Sequence, residues 1–201
     1  MNLSGSKQLD KRQIITGLLR VFFFLYLLFY AVLFAGYFVF VGIVHSSFSL
    51  ISVPATILPY LFLLSLLWVL WKGKTVEERQ AARKRIRMVS ILGLIPVVLL
   101  LVVLGKNEVE TTFDPIRWQT QHDMRVYMVD DMLAKHHLIG LHKKEVIQLL
   151  GETKAWEYFK EDNNIVYYLG PERGLVRIDS EWLVIWFDAH EKVTSYELKR
   201  D

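Results

Sequence analysis

VFFFLYLLFYAVLFAGYFVFVGIV, Val21 to Val44, is 24 residues without a formal charge. As a helix rising about 1.5 Å per residue it reaches about 36 Å, enough to cross a bilayer's hydrocarbon core of roughly 30 Å with some tilt. It is read as a first membrane span, and the rest of the N-terminal half repeats the pattern. Phe48 to Trp71 (FSLISVPATILPYLFLLSLLWVLW) is equally free of charge. It ends in Trp68 and Trp71, the side chains that favour the headgroup boundary, while Pro54 and Pro59 mark its start or a kink. Val89 to Leu104 contains Pro96 and is shorter, but Ile86 and Met88 extend it. The three spans are therefore placed at about 21–44, 48–71 and 87–104. The first apolar run is far longer than the 7 to 15 residues of a signal-peptide core and lacks a small-x-small cleavage site, so it is expected to be retained.

Orientation follows from the basic residues. Lys7, Lys11, Arg12 and Arg20 precede the first span, the short HSS connection carries no formal charge, and Lys72, Lys74, Arg79, Arg83, Lys84, Arg85 and Arg87 lie between spans two and three. Loops rich in Lys and Arg stay in the cytoplasm. The expected topology has the N-terminus and the 72–88 loop inside, HSS and everything after Gly105 outside, in a multi-pass plasma-membrane protein. The net charge of +3 divides into +8 for residues 1–105 (11 basic, 3 acidic) and −5 for 106–201 (13 basic, 18 acidic). The basic excess marks topology and does not point to nucleic acid. Arg83, Lys84, Arg85 and Arg87 are candidate lipid-headgroup contacts, each contributing on the order of 1 kcal/mol near an anionic surface. The chain has no cysteine, which removes a lipidated cysteine, a disulfide framework and a thiolate metal site.

Beyond the spans, Thr75 and Glu78 make a capping-box pattern that starts a helix near Val76 and runs into span three. Residues 106–112 are polar and aperiodic and read as a linker. The remaining 113–201 forms a small α+β domain. Asp114 before Pro115 favours an extended or turn conformation, and Thr120 with Asp123 can cap a following helix in which Met124, Met128 and Met132 lie one turn apart. Gly140 breaks the chain. HKKEVIQLLG then makes a second short helix with Val146, Leu149 and Leu150 on one face and Gly151 positioned for a left-handed C-cap. Next the period falls to two. AWEYFK and IVYYLG flank EDNN as a first hairpin, and EWLVIWF and KVTSYELK flank DAHE as a second. The expected fold is three transmembrane helices plus two helices packed on one face of a three- or four-stranded antiparallel sheet.

In Glu181 to Phe187 both faces are apolar: Trp182, Val184 and Trp186 on one side, Leu183, Ile185 and Phe187 on the other. The helices can cover only one. Trp182, Val184 and Trp186 are therefore the candidate interaction surface, unless the 171–180 loop, the Phe113–Trp118 segment or the membrane covers them.

Ile139-Gly140-Leu141, Glu145-Val146 and Leu150-Gly151 fall in register with the form Leu-x-x-Gly-Met-Thr-x-x-Glu/Gln-Val-x-x-x-Leu-Gly-x-Pro, and the segment resembles the SmpA/OmlA (BamE-like) domains of bacterial envelope proteins. It departs at His142, where that family has a capping Thr, and at Thr153, where Pro is common. The resemblance covers about 80 residues, none of them in the spans. It implies a non-catalytic module that binds another membrane or envelope protein, here displayed by a membrane anchor in place of a lipidated cysteine.

Catalytic and metal patterns are thin. His136, His137 and His142 with Asp130 and Asp131 are donors that zinc accepts, yet adjacent helical histidines point about 100° apart and read better as solvent-facing. Asp179, Ser180, Glu181 and His190 supply hydrolytic residue types without a nucleophile elbow. No phosphate loop, His-Glu-x-x-His or dinucleotide fingerprint occurs, and the spans carry no Asp, Glu, Lys or Arg that would mark an ion pathway. The expectation is a non-enzymatic protein without cofactor, or alternatively a sensor whose outer domain binds a small ligand and whose 72–88 helix reports inside.

Overall fold

A computed structural model describes residues 3–154 and 158–201. The chain divides into two compact units. One comprises residues 1–41 and 48–104, the other 42–47 and 105–201.

The first unit holds helices α1 (Leu3–Val44, its last turn excepted), α2 (Ser52–Lys72) and the greater part of α3 (Val76–Thr111). All three helices are long and apolar enough to cross a membrane, and the chain is a multi-pass membrane protein by that measure. Its core is Tyr30, Phe34, Leu63, Leu67, Val97, Leu100 and Leu104. Between helices the hydrophobic effect supplies little drive in lipid, so close packing and hydrogen bonds hold the bundle. Tyr30 donates to the Gly93 carbonyl at 2.6 Å, Tyr26 to Pro59 at 2.6 Å and Tyr60 to Ser90 at 3.1 Å. A Cβ on Gly93 would stand 2.7 Å from a Leu63 methyl, so glycine there lets α2 and α3 approach. Pro54 sits in the first turn of α2, where its missing N–H goes unused, while Pro59 lies inside the helix. The Thr75 and Glu78 capping box forms at the start of α3, with Thr75 N–H donating to the Glu78 carboxylate at 2.9 Å. Arg83, Lys84, Arg85 and Arg87 are exposed along the first turns of α3.

The polar 106–112 segment is helical as far as Thr111, the last residue of α3, and is not an irregular linker. Side-chain bonds sustain it: the Thr111 hydroxyl donates to Asn107 O at 2.9 Å and Thr112 to Glu108 O at 2.7 Å. Aperiodic polarity misleads at such a position because a helix continuing out of a span needs no apolar face of its own.

In the second unit α4 (Pro115–Thr120) is capped by Asp114, whose carboxylate accepts from Arg117 N–H at 2.7 Å. Thr120 ends this helix and, with Asp123, does not start the next. A 3-10 turn, His122–Met124, leads into α5 (Arg125–Lys135), and α6 spans Lys143–Leu150. Strands β1 (Asn164–Pro171), β2 (Ser180–Phe187) and β3 (Val193–Arg200) form an antiparallel sheet in that order. Of the expected first strand AWEYFK, Tyr158 and Phe159 are a turn, Lys160 is irregular and residues 155–157 lie outside the described residues. Gly151 does take a positive φ of 79°, but with ψ 171° it sends the chain into an extended path that is not left-handed helical.

The helices cover one face of the sheet. Met128, Val129, Met132, Val146 and Leu150 pack with Ile165, Tyr167, Leu169, Leu183, Ile185 and Phe187, and Trp118 of α4 is fully enclosed. The methionine stripe is thus core. Arg125 is buried too, donating from Nε to Trp118 O at 2.6 Å and from Nη1 to Tyr168 O at 3.2 Å, so its charge closes α4 onto β1.

Candidate functional site

The surface expected around Trp182, Val184 and Trp186 is not a surface. Trp182 is 3% exposed, and with Val184 and Val166 it forms a second small core. The chain before β1 covers it: Tyr158 stacks on Trp182 at 5.6 Å and Phe159 meets its edge, joined by Tyr168 of β1 itself. Buried Asn164 pins this cover, donating to Phe159 O at 2.8 Å and accepting from Glu161 N–H at 3.0 Å. Trp186 is half-buried, its Nε1 donating to Glu161 at 2.9 Å and its ring lying under Lys199 Nζ at 5.0 Å. The sequence signal of a doubly apolar strand was sound; the second face is occupied by Tyr158 and Phe159, which read as part of a strand in sequence and fold as a turn.

The other sequence candidates separate. Ser180 begins β2 and His190 lies beyond its far end, so they do not converge, and Glu181 is committed to Arg173. His136 meets Phe113 edge-on and His142 precedes α6. Among the described residues no three His, Asp or Glu side chains gather as metal ligands.

What the fold does assemble is a cleft of about 360 Å³ wholly within the second unit, lined by Val44, His45, Tyr127, Asp130 and Arg173 among others. His45 ends α1 with φ 51°, a conformation that stops a helix. The next residue is held by Asn107, whose amide donates to Ser46 O at 2.9 Å. The His45 imidazole stacks on Tyr127 of α5 at 3.8 Å with the rings 16° apart, and its Nε2 stands 3.7 Å from Glu110. Burial pushes its pKa down. Glu110 opposes that, Arg177 and Lys106 add to it, and the net shift is downward, so the ring stays neutral near pH 7.

Across the cleft Arg173 bridges two acids, donating to Asp130 at 2.6 Å and to Glu181 at 2.9 Å. Burial alone would lower the Arg173 pKa, but the hydrogen bonds and charges of Glu181 and Asp130 raise it overall. Asp131 is occupied by Phe113 N–H at 2.6 Å and Lys135 at 2.7 Å, which outweigh burial and hold its carboxyl below the ordinary value. The cleft offers a neutral imidazole, an aromatic ring and a guanidinium between carboxylates, a set suited to holding a small polar ligand by hydrogen bonds. Sequence reading missed it because positions 45, 110, 127 and 173 share no local pattern.

No family model, curated protein or solved structure matches this chain. The likeness to SmpA/OmlA domains therefore rests on the residues quoted above.

Proposed function

We propose that this is a non-enzymatic plasma-membrane protein that displays a small α+β interaction domain outside the cytoplasm, where it binds another membrane or envelope protein. The observation that carries the reading is the state of the sheet. Both faces of β2 are closed and β1 is backed by the 3-10 turn at Gly170, whereas β3 is bonded on its outer side at its first residue, where Val193 exchanges backbone hydrogen bonds with Gly140 and Leu141, and leaves Thr194 to Glu197 exposed beyond that point. An open edge next to Trp186 is the part of the expected surface that remains for a partner strand or loop. The order α5, α6 and then a sheet supports the BamE-like reading, and the seven basic residues from Lys72 to Arg87 support the orientation.

Single cysteines at Leu50, Glu77 and Asp162, all exposed, test the sidedness in intact cells because the native chain has none. A membrane-impermeant maleimide is expected to label Leu50→Cys and Asp162→Cys, and Glu77→Cys only after permeabilisation. The reverse pattern would place the domain in the cytoplasm and end the envelope reading. Crosslinking from Tyr196→Cys is expected to give a discrete adduct that Ala189→Cys does not; its absence removes the interaction role. A second reading, a sensor that binds a small ligand, is favoured by the His45, Tyr127 and Arg173 cleft. It predicts ligand-dependent protection of α5 that Asp130→Asn weakens.

A further inference from the structure

The loop between β1 and β2, ERGLVRID (172–179), breaks the rule that a small domain hides its large apolar side chains. Leu175, Val176 and Ile178 are 78, 61 and 83% exposed, three within four positions and separated by Arg177. None belongs to either core of the domain. The loop's base is nonetheless firmly held. Glu172 N–H donates to Asp179 O at 2.8 Å, Arg173 is locked by Asp130 and Glu181, and Arg200 pairs with Glu172. A fixed base presenting an apolar tip is the form of an interaction site, since scattered exposed residues lack the contiguity and the support.

Its location identifies the occupant. The Arg177 guanidinium lies over the Tyr127 ring at 5.9 Å, and Tyr127 stacks on His45 at 3.8 Å. His45 directly follows Val44, the last residue of the first apolar span, and Val44 and Arg173 line the same cleft. The loop therefore stands two ring contacts from the point where the chain leaves the bilayer. At that level the available apolar phase is lipid, and a cation among apolar residues suits the phosphate layer, the guanidinium reaching headgroups while its neighbours enter the acyl boundary. We propose that Leu175, Val176 and Ile178 insert into the interface of the bilayer that α1 crosses, with Arg177 at the phosphates, so that the domain is clamped to the membrane at a second point. This holds whichever side the domain occupies, so it stands or falls independently of the orientation.

The test uses the full chain in phosphatidylcholine/phosphatidylglycerol vesicles with an environment-sensitive fluorophore on Val176→Cys, and on Ala189→Cys as reference. Ala189 lies beyond the opposite end of β2, about 23 Å along the strand from Ser180. Expected is blue-shifted emission at position 176, quenched at least twofold by lipids carrying a nitroxide on the acyl chain, with water-like unquenched emission at 189. Adding Leu175→Asp and Ile178→Asp, both tolerable at exposed positions, should abolish the quenching and show that the loop, and not the probe, seeks the lipid. Equal quenching at 176 and 189 overturns the proposal. So does a blue shift without lipid quenching, which would assign the loop to a protein neighbour.

Discussion

Gly170→Ala is expected to destabilise the α+β unit by about 3 kcal/mol or more, through two effects at one atom. Gly170 has φ 129°, a region that L side chains rarely adopt. A Cβ there would also stand 2.4 Å from the carbonyl oxygen of Asp123, a backbone atom that cannot rotate away. The register shift between Tyr168 and Gly170 lies at the same place, so the strand bends where the 3-10 turn presses on it. Relief would require moving His122–Met124, which lies between Trp118 and buried Arg125. Hydrogen exchange on the full chain in detergent measures the loss: amides of β1 and β2 should exchange faster by about two orders of magnitude, while those of α2 stay at their original rates. Unchanged protection in β1 would show that the turn is free to shift.

Glu181→Ala should cost about 2 to 3 kcal/mol. The Glu181 side chain is almost wholly enclosed and accepts from Arg173 Nε, Nη2 and backbone N–H, while Arg173 itself is 29% exposed. Removing one partner of a buried pair costs about 3 to 5 kcal/mol, and partial solvation of Arg173 reduces that. The same pair gives a pH signature. Burial alone would raise the Glu181 pKa, but the Arg173 bonds and the Arg173 and Arg200 charges more than offset it and hold it below the ordinary carboxylate value. A carboxyl with a depressed folded pKa stabilises fully above its unfolded pKa, and the contribution is lost as pH falls through the folded one. Urea unfolding of the full chain, followed by tryptophan fluorescence, should weaken on acidification below about pH 4.5 in the native protein. Glu181→Gln should remove part of that slope; an identical slope would mean that other carboxylates carry it.

Arg173 connects this stability to the cleft. One guanidinium anchors the start of β2 through Glu181, reaches α5 through Asp130, and holds the base of the apolar loop. A substitution at Arg173 would disturb all three together, which is why the loop is better tested at its exposed tip.

The membrane helices were legible because the requirement is one-dimensional. About 20 apolar residues must follow one another, and no distant residue can supply a missing one. The capping box at Thr75, the methionine stripe of α5 and the hairpin across DAHE were legible for a similar reason, since each is a pattern between near neighbours. The cover over Trp182 was not. Its adjacent aromatics, Tyr158 and Phe159, are residue types that strands favour, and the bonds from Asn164 hold them as a turn. Likewise the reach of α3 to Thr111 depends on threonine hydroxyls returning to the helix backbone, a stabilisation that an aperiodic polar stretch conceals.

By itself, then, the sequence determined what obeys local periodicity: three apolar helices, the order of α5, α6, β1, β2 and β3 in the second unit, and the face of β2 that the helices bury. Tertiary structure alone decided which residues meet across long separations: Tyr158 with Trp182, Arg173 with Asp130, and Tyr127 between His45 and Arg177. Those contacts join positions as far apart as His45 and Tyr127. Their energy comes from burial and paired charge that exist only once the core has closed, so no short stretch of sequence carries their signal.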